Sequence, residues 1–95
     1  MVKTLPDFVG ANSVQQLAND AGQTKAAWIQ FIVTGTGTAR IGDSATSSTQ
    51  GLPVPAGGGM FFPWRKQPEH DLYALSQFYM YIPTGASIAV AYSTD

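Results

Sequence analysis

The chain has 95 residues, enough for one domain and too few for two. Charged residues make up 12% of it, about half the usual share, while apolar residues stand at an ordinary 44%, and the net charge is −1. No basic run can neutralise a row of phosphates, which excludes nucleic acid as a partner; "WRK" at 64–66 is the only cluster. Cysteine is absent, which excludes disulfides and thiolate metal sites. The longest apolar runs are far too short for a membrane helix, so no membrane partner is expected.

In chain order, residues 1–13, "MVKTLPDFVGANS", have no sustained period, and Pro6 and Gly10 interrupt any helix. An extended N-terminal arm is expected there, pinned by Leu5 and Phe8, with a single β-domain over 14–95. The start lacks the apolar core of a signal peptide, so synthesis in a cytoplasm is expected. "SVQQLA" at 13–18 suits either a strand or a short helix, and "NDAGQTK" reads as a turn. Ala27, Ile29, Phe31 and Val33 then alternate with Trp28, Gln30 and Ile32, the period of a strand. "TGTGT" predicts a hairpin connection, after which Ala39 and Ile41 resume the inward face. "GDSATSSTQG" is a polar loop.

The stretch "GLPVPAGGGMFFP" alternates Leu52 and Val54 with Pro53 and Pro55. Proline cannot donate to a sheet ladder, so this piece is expected at a sheet edge, which the prolines also protect from uncontrolled pairing. Gly57, Gly58 and Gly59 are expected to form a tight corner, and Met60, Phe61 and Phe62 to return the chain to apolar packing. "WRKQPEHD" is a polar connection. "YALSQFYMYIP" predicts one strand with Ser76, Phe78, Met80 and Ile82 on one face and Gln77, Tyr79 and Tyr81 on the other; "SIAVAYS" closes the chain with Ile88, Val90 and Tyr92 inward. About seven or eight short strands with regular turn signals predict an all-β fold, a compact antiparallel β-barrel or a jelly-roll sandwich.

No catalytic, cofactor or metal residues are expected. The glycine run lacks the Lys-Ser or Lys-Thr of a phosphate loop, and no helix follows it. His70 is the only histidine, which cannot build a cupin-type metal site, and it has no nucleophile motif to serve. Of the carboxylates only Glu69 and Asp71 are close in sequence, with no sign of a facing glycosidase pair; Asp43 reads as a turn cap. A non-enzymatic protein is therefore expected. Trp28, Tyr79 and Tyr81 fall opposite the predicted core face. They are exterior in a closed barrel, or face a second layer in a sandwich, since one residue of register exchanges the faces. With Leu5, Phe8 and Ile32 they are the candidate protein–protein interface.

The succession "VQQLA", "WIQFIVTGTGTARIGDSATSSTQGLPVPAGGGMFFP", "YALSQFYMYIPTGASIAVAYS" resembles small virion proteins of tailed bacteriophages. Those chains place "R-I/V-G-D-S" and a Ser/Thr-rich turn after the first strand, then "G-L/I-P-L/V-x-A-G", an aromatic-proline step and "Y-D-L-S-Q-I-Y-V-Y". The resemblance spans Val14 to Ser93; it departs at Ala74, where the pattern has Asp, and in the loop 64–71. It implies a jelly roll or barrel in the virion and no chemistry. The expected function is decoration and stabilisation of the capsid exterior by a cement protein. Its implied partners are copies of itself, as a trimer, and the phage major capsid protein, held in part by the arm adding a strand to a neighbour. The alternative is a receptor- or carbohydrate-binding module of a fibre or tail, with Trp28, Trp64, Tyr79 and Tyr81 as stacking residues. The low charge by itself also fits a neutral, secreted β-domain.

Overall fold

Ile29, Phe31 and Val33 are fully buried and Gln30 and Ile32 exposed, so the central strand follows the alternation in its sequence. The computed structural model describes residues 2–19, 24–62 and 73–94. Trp64, Glu69, His70, Asp71 and the "WRK" cluster lie outside the described residues. Eleven strands occur among those described: β1 (Val2–Thr4), β2 (Phe8–Val9), β3 (Ser13–Gln16), β4 (Lys25–Ala26), β5 (Trp28–Gly35), β6 (Thr38–Gly42), β7 (Leu52–Pro55), β8 (Gly59–Phe62), β9 (Tyr73–Ala74), β10 (Tyr79–Ile82) and β11 (Ala86–Ser93). The segment 13–18, open between helix and strand, contributes β3.

The fold is an all-β sandwich of two antiparallel sheets. The first sheet has the order β1–β11–β5–β8, with β2 also on β11; the second has the order β3–β10–β6–β7. A short pair, β4 with β9, stands apart from both. The pairs β2–β11, β3–β10, β5–β8 and β6–β7 are nested, outermost strand with outermost and innermost with innermost. This is the connectivity of one long antiparallel hairpin rolled on itself, a jelly roll, and the sheets do not close into a barrel. Ile29, Phe31, Val33, Ile88 and Val90 from the first sheet meet Ile41, Val54, Met80 and Ile82 from the second in one core.

"TGTGT" is not a hairpin. It carries the chain from β5 in the first sheet to β6 in the second. Both edges of β5 are already taken, one by β11 along all eight residues and the other by β8, so β6 has no place beside it. Ala39 and Ile41 still point inward, but from the opposite layer. The "PAGG" corner is a second crossing, from β7 to β8, and it is bonded to the first: Ala56 N–H donates to Gly37 O at 2.9 Å and Gly57 N–H to Val33 O at 2.8 Å. Within the corner the glycines differ in role. Gly57 has φ +88 and occupies the turn closed by Gly58 N–H on Pro55 O, where a side chain would be strained. Gly59 already lies in β8, where an added Cβ would stand 2.6 Å from Phe31 O. β7 is an edge strand, as its prolines require.

"YALSQFYMYIP" is not one strand. A 3-10 turn, Leu75–Gln77, separates β9 from β10, closed by Phe78 N–H on Leu75 O at 3.1 Å. Leu75 is buried and Phe78 packs on the core, three residues apart; a strand would send them to opposite faces, whereas a 3-10 turn aligns them. Ser76 belongs to this turn, while Met80 and Ile82 are buried as expected. The N-terminal segment is extended, but it lies along the body. β1 and β2 pair with β11, Leu5 N–H donates to Val90 O, and Leu5 and Phe8 pack against the core.

Candidate protein interface

The outward face of the first sheet follows from its register. Paired residues share a face, so Phe61, Gln30, Ala91 and Thr4 form one row across β8, β5, β11 and β1. Ile32 and Ala89 lie on the next row, Trp28 stands beyond Gln30 on the other side, and Val9 extends the face along β2. Exposure is 55% at Phe61, 41% at Ile32, 61% at Val2 and 67% at Val9. Trp28 is half-buried, its ring 6.0 Å from that of Phe61. None of these rows contains an Asp, Glu, Lys or Arg. A depression of about 320 Å³ lies over Ala89 and Ala91, between Ile32 and the bend at Thr4 to Asp7. The small side chains of β11 create it, and Asp7 at its rim is the nearest charge among its lining residues.

The six expected interface residues do not come together. Trp28 and Ile32 are on this face. Tyr79 and Tyr81 are half-buried on the outward face of the second sheet, on the far side of the sandwich, where Tyr81 pairs with Val14 and Arg40. Leu5 and Phe8 are engaged with the molecule's own core. In place of the latter four, the first-sheet face recruits Phe61, Val2 and Val9. The expected return of Met60, Phe61 and Phe62 to apolar packing divides between two faces: Met60 and Phe62 pair with the inward Phe31 and Ile29, so Phe61 between them points out, beside Trp28. Nothing in "GMFF" marked it, since Met60, Phe61 and Phe62 are all large and apolar. Val2 and Val9 carried no signal either, because their strands are too short to show a period.

For chemistry, the described residues offer little. They contain no group of three or more His, Cys, Asp or Glu able to hold a metal ion. No buried side-chain nitrogen or oxygen among them lacks a hydrogen-bond partner. The buried Thr46, for instance, donates its hydroxyl to Asp43 O at 2.6 Å. No helix among the described residues is long and apolar enough to cross a membrane. Compared with protein-family models, curated proteins and solved structures, the chain matches none.

Proposed function

We propose that the chain is a non-enzymatic structural protein of a tailed-phage virion, decorating and stabilising the capsid exterior as an oligomer. The observation that carries this is the uncharged apolar face of the first sheet, with Phe61, Ile32, Val2 and Val9 all exposed. Large apolar side chains gathered on one flat surface are an association site, since leaving them in water costs about 25 cal/mol for each Å². The sequence resemblance supplies the setting, with copies of the chain (a trimer) and the major capsid protein as partners.

The size of the face suits a lattice. With strands at about 4.8 Å spacing and residues at about 3.3 Å rise, β5 and β11 with the shorter β1, β2 and β8 span on the order of 400 Å². That is below the roughly 800 Å² per partner of a stable binary complex. Many copies held at once on a repeating surface gain by multivalency what one contact lacks. Because β1 and β2 complete the chain's own sheet, the contact is assigned to the sheet face rather than to a free arm.

Immunogold labelling of intact source particles with antibody raised against the folded chain tests the proposal. Label over the whole head is the expected result. Label confined to a tail or fibre would replace it with the receptor- or carbohydrate-binding alternative. Absence of the chain from denatured particle protein would overturn a virion role altogether.

A further inference from the structure

We infer that the cleft at the β6–β7 end of the sandwich binds a neutral saccharide. The cleft has a volume of about 650 Å³, inside the range of roughly 300–1,000 Å³ typical of small-ligand sites. Its floor is aromatic. Phe62 and Phe78 stand edge to face with centroids 4.9 Å apart, and Tyr73 is 5.6 Å from Phe62. All three are half-buried and line the cleft. The C–H face of a pyranose ring is apolar and flat, and such a surface takes it without stranding a hydroxyl.

The rim is polar and free. Asp43, Gln50 and Gln77 line the cleft and are exposed. The Gln50 and Gln77 side-chain amides make no hydrogen bond in the described structure. Asp43 uses one carboxylate oxygen, Oδ1, to accept Ala45 N–H at 2.9 Å, which leaves the other for a ligand. A primary amide both donates and accepts, and a carboxylate accepts from two neighbouring hydroxyls, so this set matches vicinal hydroxyl groups. Among the described residues no Lys, Arg or His lines the cleft, and the one charged lining residue, Asp43, is negative. Phosphates and other anions are therefore disfavoured, and a wholly apolar ligand would desolvate the amides with no return.

The loop that carries half of the rim is already ordered. Thr46 N–H donates to Asp43 O at 3.0 Å and Ser47 N–H to Gln50 O at 3.0 Å. Ser47 Oγ accepts from Gln50 N–H at 3.1 Å. Opposite it, the 3-10 turn that presents Gln77 is fixed by Leu75 N–H on Thr24 O at 3.0 Å. A preformed rim lowers the ordering cost of binding, which matters for ligands whose affinity is on the order of millimolar. The site is separate from the first-sheet face and does not depend on the virion role.

The test is a heteronuclear NMR titration of the intact chain with a panel of neutral hexoses, N-acetylhexosamines and their short oligomers. At least one is expected to shift the amides of residues 43–51 and 77 in a saturable way. Gln77→Ala and Asp43→Asn should each weaken that binding about threefold to tenfold, the worth of one or two hydrogen bonds, while spectra of the free variants stay dispersed. Phe61→Ser, on the first-sheet face, should leave it unchanged. The inference is overturned if no panel member shifts those resonances, if the shifts map to either outer sheet face, or if a phosphorylated or sulfated sugar binds more tightly than its neutral parent.

Discussion

The two outer faces of the sandwich are built alike and are chemically unlike. Each is the solvent side of an antiparallel sheet, and each carries aromatic residues that the sequence places opposite the core. On the first sheet, Phe61 shares its row with Gln30, Ala91 and Thr4, Ile32 with Ala89, and Trp28 with Ser93 and Val2, and no charge interrupts them. On the second, Tyr79 and Tyr81 are half-buried, their polar hydroxyls go with them, and Arg40 lies between Tyr81 and Pro53, its guanidinium donating to Gly51 O at 3.0 Å. A partner covering the first face desolvates the neutral polar side chains of Gln30 and Thr4 but meets no formal charge in these rows. On the second it must desolvate a guanidinium and two phenols, which offsets the apolar gain. The two faces therefore differ less in aromatic content than in the company the aromatics keep across the strands.

Three measurements probe that difference, and the largest effect lies between the faces, in the core. Phe31→Ala removes the largest fully buried side chain, which also touches the Phe62 and Phe78 rings. It should cost about 3–5 kcal/mol in denaturant unfolding, whereas Ile32→Ala, one residue on but facing out, should stay within about 1 kcal/mol. Comparable losses at both positions would mean the assigned faces of β5 are wrong. Next comes association. Ile32→Lys places an ammonium in the uncharged face and should weaken self-association by at least about tenfold, read by sedimentation across a concentration series. Tyr81→Lys on the other sheet should leave it unchanged; the reverse order would transfer the interface to the second face. The smallest effect is expected at Arg40→Met, which keeps the aliphatic stem and loses the exposed bond to Gly51 O. Thermal unfolding should show a loss within about 1 kcal/mol, and association by the first face should not respond.

Much of the strand content was legible because burial imposes period two wherever a strand is long enough to display it. β5 and β11 show it over seven residues each, and their inward residues match the sequence pattern. The pattern failed at Leu75 and Ser76, where the buried Leu75 and the core-packed Phe78 lie three apart and the chain adopted a 3-10 turn instead. Of the proposed interface, Trp28 and Ile32 were legible by parity, whereas Phe61 sits in a run of three large apolar residues that shows none. Leu5 and Phe8 looked available because nothing local shows that residues 2–9 find a sheet edge on β11, more than seventy-five positions along the chain. The end cleft had no local signature, since its rim joins the 43–51 loop to Gln77 and its floor joins Phe62 to Phe78.

What the sequence by itself determined is the material: an all-β chain, its inward residues, its protected β7 edge and its low charge, because each of these is a property of neighbours along the chain. Which strands share a sheet was decided only in three dimensions. "TGTGT" is as good a turn for a hairpin as for a crossing, and the turn residues cannot tell the two apart. The choice fell to the competition for the edges of β5, which the eight-residue match with β11 wins on one side and β8 takes on the other, leaving β6 to the opposite layer. That single outcome sets Tyr79 and Tyr81 on the far side from Trp28 and Ile32, and so decides that they belong to different surfaces.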